Sequence, residues 1–305
     1  MKKFIIGFII FIILLAILVR NCSDDSMEIN EPITNLSSTN DEKEPVQEVT
    51  FLRGNSNIEI PISSHFADEQ ILSRKAYTTS YNSNTKCPNW VAWHLTSEHT
   101  YGSFSRKGVP YYSNDGSVEG IGYVTQEMCR NGYFVDLEAK EPRQQLSDWT
   151  RDYNMSHGHM CPAGDNKWDK AAMNQSFLLT NMCPQDEKLN GGAWKKLEEK
   201  CRTWANKYGD IYIVAGPIFN KPITRTLGEG KIAVPDAFFK VVLCLEGTPK
   251  AIGFLYKNDS SSQSIRDCAC SVDSIEELTG IDFFYSLSDD IEDVVESDAN
   301  LSKWN

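Results

Sequence analysis

The chain lacks a second long apolar run. After residues 4–19 nothing of comparable length occurs in its 305 residues, which excludes a membrane protein of several spanning helices. A basic excess is missing as well: 42 acids face 30 bases for a formal charge of −12, so the strongly basic face of a tight DNA binder is absent. That shortage is uneven. Residues 23–70 hold 11 acids and 2 bases, residues 271–305 hold 10 and 1, and the stretch 71–270 is left at about +3. The acidity therefore lies at the two ends, and a polyanionic ligand is not excluded from the middle. No internal repeat is present, which removes solenoid and propeller architectures.

At the start, Lys2 and Lys3 precede the apolar run of residues 4–19. This reads as an export segment, 1–22, either cleaved as a signal peptide or kept as an anchor, with the positive residues holding the N-terminus in the cytoplasm and the remainder outside. Cys22 adds lipidation as a third route, although Val19, Arg20 and Asn21 make a poor lipoprotein cleavage site. The expected location is periplasmic, cell-surface or extracellular, with membrane contact only through this segment. Residues 23–68 are rich in Ser, Asn, Glu, Asp and Pro without periodicity and read as a disordered acidic tether. Residues 69–292 remain for a single domain, followed by an acidic tail, 293–305. Short β-rich runs at 76–81, 90–95, 211–214, 238–245 and 251–256 alternate with a few helices and Gly or Pro clusters, which predicts an α+β fold around a mixed β-sheet. Nine cysteines occur, and without Cys22 an even eight remain that an exported protein could oxidise.

Chemistry-bearing residues crowd into 151–202, RDYNMSHGHMCPAGDNKWDKAAMNQSFLLTNMCPQDEKLNGGAWKKLEEKCR. Its first half is punctuated by His157, His159, Pro162 and Gly164 and reads as irregular. Its second half reads as a helix that starts after Gly191-Gly192. On that helix Ala193, Leu197, Cys201 and Ala205 form a stripe for the core, widened by Trp204. Asn190, Trp194, Glu198 and Arg202 repeat at the same step about 100° round. An amide oxygen, a carboxylate and a guanidinium on one edge suit a hydrated hard cation beside a phosphate. Taken alone the same stripe also reads as a helix cap with a surface ion pair. A zinc site built from His157, His159 and Cys161, with Cys183 as fourth ligand, stays open too.

The segments SHGH, TNMCPQ and LNGGAWKKLEEKCR, with NWVAWHLT and Arg106 upstream and IYIVAGPIF, VPDAFFKVVL and SVDSIEELTGIDFFYSL downstream, resemble the DNA/RNA non-specific endonucleases of the ββα-metal, or His-Me finger, type. The family pattern runs Asp-Arg-Gly-His, then Thr-Asn-x-x-Pro-Gln, then Asn-x-Gly-x-Trp-x-x-Leu-Glu-x-x-x-Arg, and only its opening Asp-Arg is replaced, by Ser156-His157. The resemblance covers about residues 70–292. It implies a ββα-metal finger active site in which His159 is the general base, Asn190 the one direct ligand of Mg²⁺ (Mn²⁺ as substitute) and Glu198 a ligand through water. Arg106 and Arg202 would grip phosphate, Asn181 would orient the site, and His157 would stand in protonated form where the family has an arginine. The implied reaction is hydrolysis of DNA and RNA phosphodiesters to 5′-phosphate ends without sequence preference, with a homodimer as a further expectation. The competing reading is a degenerate cell-surface nucleic-acid-binding protein whose His157 marks lost chemistry.

Overall fold

Strict alternation of inward and outward side chains over four long strands builds the frame of the protein. The structure, a computed structural model, describes residues 57–63, 66, 68–110, 115–149, 154–220 and 222–305. The expected export segment and most of the expected tether lie outside them. Among the described residues no helix is long and apolar enough to cross a membrane.

In chain order the main elements are β1 (Gln70–Ser73), β2 (Thr78–Asn82), β3 (Cys87–Thr96), β4 (Met155–His159), α1 (Lys170–Gln175), β5 (Met182–Asp186), α2 (Lys195–Tyr208), β6 (Asp210–Ile218), β7 (Ala237–Cys244), β8 (Lys250–Lys257), β9 (Ala269–Cys270), α3 (Val272–Thr279) and α4 (Asp289–Glu296). Seven strands form one sheet in the order β1-β2-β3-β6-β7-β8-β9. Every pairing in it is antiparallel. The α+β class is as expected, but the mixing of strand directions is not found. Parallel neighbours need a crossover connection, whereas here β1-β2-β3 and β7-β8 are joined by short turns and β6 enters between the two groups in the opposite direction to both its neighbours.

The period of two sorts the core onto both faces of the sheet. Trp93, Leu95, Ile213, Phe238, Val242 and Phe254 pack with Trp194, Leu197, Cys201 and Trp204 from the α2 side. Their neighbours in sequence, Ala92, Val214, Phe239, Val241 and Leu243, turn to the other face and meet Val272, Ile275, Phe283, Leu287 and Val295 from the C-terminal helices. Two segments read as outside the domain belong to this packing. Ile58 is buried on the α3 side, and Ile62 exchanges two backbone hydrogen bonds with Asp282 at 2.9 and 3.0 Å, so residues 57–63 are part of the domain rather than a tether. Likewise 293–305 is no tail: Val295 and Trp304 are buried, the latter against Trp204 with ring centroids 4.7 Å apart. A few apolar side chains, Ile58 and Ile60 at one end and Val295 and Trp304 at the other, fix these stretches to the core. No disulfide links the eight cysteines from Cys87 to Cys270 among the described residues; seven are buried at scattered core positions and only Cys270 is half-buried.

Candidate active site

Residues 155–208 form a ββα finger laid against one face of the sheet. β4 and β5 pair antiparallel with Ser156 opposite Gln185, His157 opposite Pro184, Gly158 opposite Cys183 and His159 opposite Met182. SHGH is thus a strand and not the irregular segment expected, because the pairing overrides the poor strand preference of His and Gly. Gly158 is required there, since a Cβ on it would stand 2.5 Å from the Gln185 side chain. After β5, Asp186 caps a helical turn by accepting from the amides of Lys188 and Leu189, and helix then continues without a break through Tyr208. Gly191 and Gly192 do not interrupt it but lie in a π-turn, Asn190–Trp194. That wider turn holds one residue more than an α-turn and shifts the phase of the stripe. Trp194, expected at the polar edge, is consequently fully buried and donates from its indole to the His159 carbonyl at 3.2 Å.

A cleft of about 440 Å³ opens over this finger and is lined by Arg106, His157, His159, Asn190, Glu198 and Arg202. Six of the seven expected site residues therefore share one cavity. Asn181 does not: it is wholly buried behind the strand, accepts from the Cys161 amide at 2.9 Å and donates to the carbonyls of Cys161 and Ser176, both at 2.8 Å. It pins the chain just after His159, and none of these hydrogen bonds reaches a residue of the cleft lining.

His159 rests edge-on against Phe177, centroids 5.0 Å apart at 90°, and its Nε2 has no hydrogen-bond partner. Burial first, and the Arg106 charge second, hold its pKa at about 3, so it is neutral in the free protein. His157 lies in a slot between Tyr133 and Trp149, with centroid distances of 3.9 and 3.7 Å and ring planes within 16° of parallel. Burial, then His159 and Arg106, keep it near 3 as well. The expected protonated His157 is not met: aromatic faces replace water on both sides of the ring and two neighbours oppose the charge.

The two arginines are held differently. Arg106 donates to the Tyr133 hydroxyl at 2.9 Å and lies over the rings of Tyr133 and Phe177, at 5.1 and 5.2 Å, which leaves most of its fork exposed. Arg202 donates at 2.8 Å to Asp165, a buried carboxylate whose other oxygen takes the Trp93 indole at 3.1 Å. Gly164 makes room for that guanidinium, since a Cβ there would meet it at 2.7 Å. Asn190 donates to the Ser156 hydroxyl at 2.8 Å, which spends its amide nitrogen and leaves its carbonyl oxygen available. Burial lifts the Glu198 carboxyl to about 7, opposed in part by Lys240. Lys240 itself is fully buried; its ammonium has no hydrogen-bond partner and faces Trp93 and Trp194 at 5.0 and 4.5 Å.

An amide oxygen, a carboxylate, two guanidinium groups and an orphaned imidazole on one cleft can bind a phosphate, hold a hard cation and move a proton. The zinc set is not assembled. Among the described residues the one convergence of three potential His, Cys, Asp or Glu ligands is elsewhere, at Asp273, Glu276 and Glu296. Sequence reasoning passed over Tyr133, Trp149, Phe177, Asp165 and Lys240, of which only Lys240, a lone charge in the apolar run FFKVVL, left a visible signal.

Comparison with known proteins adds to this geometry. The family model described as DNA/RNA non-specific endonuclease matches residues 54–290. A protein named Nuclease from Nostoc sp. is 28% identical over 93% of this chain and 94% of its own length. The mitochondrial nuclease EXOG of Danio rerio is 28% identical over 69% of this chain, and the match spans 60% of that protein. Nuclease C1 of Cunninghamella echinulata is 29% identical over 71% of this chain and 83% of its own length. In fold, a chain in the crystal structure of an EndoG/EndoGI complex superposes with a TM-score of 0.59 at 22% identity, covering 72% of this chain and 88% of that one.

Proposed function

The chain belongs to the DNA/RNA non-specific endonuclease family, and on that premise we propose that it hydrolyses phosphodiester bonds of DNA and RNA with little sequence preference, using His159 as general base. The observation that carries the reading is the orphaned Nε2 of His159 in a cleft that also presents Arg106, Arg202, Asn190 and Glu198. A neutral imidazole there takes the proton of the attacking water. In the free protein its pKa near 3 makes it a weak base. A bound phosphate raises that value, because its negative charge offsets Arg106 and favours the imidazolium. Arg106 and Arg202 grip the phosphate from two sides, and contacts confined to phosphate and sugar read no base.

The donor set fits Mg²⁺, with Mn²⁺ as substitute. The carbonyl oxygen of Asn190 is left over from the bond to Ser156 and would be the direct ligand, while the Glu198 carboxylate would hold metal-bound waters. When bound, the ion supplies charge that polarises a phosphate oxygen and stabilises the departing 3′ oxygen, giving 5′-phosphate ends. The N-terminal residues 1–22 support a place outside the cytoplasmic membrane for the enzyme. A plasmid-nicking assay with and without EDTA, run on the wild type and His159→Ala, tests the base and the metal requirement together. The wild type should cut only with the metal, and loss of the base should slow it by ~10²–10⁴-fold. A nucleic-acid-binding protein would retard the plasmid on a gel without cutting it, and wild-type cleavage by His159→Ala would remove His159 from the chemistry.

A further inference from the structure

On the sheet face opposite the finger, Asp273 in the first turn of α3, Glu276 one turn on and Glu296 at the end of α4 each present a carboxylate oxygen, and the three oxygens lie within 4.8 Å of one another. Acidic clusters on surfaces are common, but this one is not merely a surface. Glu296 is only 5% exposed, and its Oε1 has no hydrogen-bond partner. Of the other two, Glu276 accepts the Phe283 amide at 2.7 Å and Asp273 is exposed.

Among the described residues no cation is paired with the group. No Lys, Arg or His occurs anywhere in residues 271–302, a span with ten acids. The charged groups acting on Glu296 are Glu276, Glu292, Asp273 and Asp282, all acidic. Its place in the last turn of α4 adds the negative end of the helix dipole, where a carboxylate is disfavoured. A buried, unpartnered carboxyl facing two others is costly unless it is protonated or a cation joins it.

We propose that Asp273, Glu276 and Glu296 bind a calcium ion that clasps α3 to α4, separate from the cleft of the finger. The donors are all oxygen and all anionic, which selects a hard divalent cation. Calcium accepts six to eight oxygens in irregular geometry, and the exposed Asp273 side leaves room for waters to complete that number, whereas Mg²⁺ demands a near-ideal octahedron. With only three carboxylates the affinity belongs in the ~10⁻⁴–10⁻³ M range of extracellular calcium modules.

The test is thermal unfolding of the whole protein with excess Mg²⁺ throughout, with and without Ca²⁺, for the wild type, Glu296→Gln and Asp273→Asn. Glutamine matches the protonated acid in shape, and Asp273 is exposed, so at least one variant should fold. Calcium at about 100 times its Kd should raise the wild-type Tm by on the order of 5 °C and leave either variant nearly unmoved. An equal calcium shift in wild type and variants, or none in the wild type, would overturn the site. The nuclease reading survives either result, because the cleft and its residues are not involved.

Discussion

Replacing Asp165 by alanine isolates the anchor of Arg202. The carboxylate is buried to 1% side-chain exposure, Arg202 is at 18%, and the two meet at 2.8 Å. Alanine would leave the guanidinium facing a cavity, with the Trp93 indole also unpaired and the buried Lys240 ammonium close by. Removing one member of a buried pair costs roughly 3–5 kcal/mol. For a domain of this size each kcal/mol lowers Tm by roughly 2–4 °C, so the variant should melt about 6–20 °C below the wild type. Asp165→Asn keeps an oxygen for Arg202 and should lose about half as much. Calorimetry of Asp165→Ala, of Arg202→Met and of the double Asp165→Ala/Arg202→Met completes a cycle. If the cost is the stranded guanidinium, the double variant should be less destabilised than the sum of its singles by roughly 1–3 kcal/mol. A single variant melting within about 2 °C of wild type, or an additive double, would show that Asp165 does not hold Arg202 in place.

Asn190→Ala should raise the Mg²⁺ concentration needed for cleavage, and Glu198→Gln should do so by a smaller ~10–100-fold; an unchanged requirement in both would move the metal off this helix. Because the Glu198 carboxyl sits near 7, above its ordinary range, it becomes an anion only as pH rises through 7, so the wild-type Mg²⁺ requirement should fall between pH 6 and 8 while that of Glu198→Gln stays flat. His157→Arg should give a rate–pH profile parallel to the wild type between pH 5 and 10, since a histidine held near 3 is neutral throughout; an alkaline decline present only in the wild type would show that His157 acts as a cation. A chain beginning at residue 57 should unfold as the full-length protein does, whereas one beginning at 69 loses Ile58 and the Ile62–Asp282 pairing and should be less stable by about 3–5 kcal/mol in urea titration.

The cleft residues were legible because most of them sit within fifty residues at spacings that a strand and a helix turn into proximity. What stayed hidden came from longer range. Tyr133, Trp149 and Phe177 wall the two histidines across loops whose length encodes no contact, and aromatic residues in a loop look the same whether they face a site or a core. The strand at SHGH and the helix through Gly191-Gly192 were misread for a related reason. Local preference argues against both, and the ladder to β5 and the Asp186 cap supply the energy that preference lacks. At the two ends of the domain, composition outvoted a few anchors such as Ile58 and Trp304.

Lys240 shows how a visible anomaly gains meaning only from topology. The period of two on β7 turns Phe238, Lys240 and Val242 toward α2, so the one charge in an apolar strand lies beneath the helix that carries Glu198 and Arg202. There two cations, Arg202 and Lys240, face two acids, Asp165 and Glu198, so much of the Arg202 charge is already offset before a phosphate arrives. Arg202 can hold a phosphate through its remaining N–H groups but adds little net charge, and of the cleft arginines Arg106 alone has no carboxylate partner, only a hydroxyl and two aromatic faces. On this accounting Arg106 supplies the unpaired cation of the free protein, and a bound metal ion would add the rest.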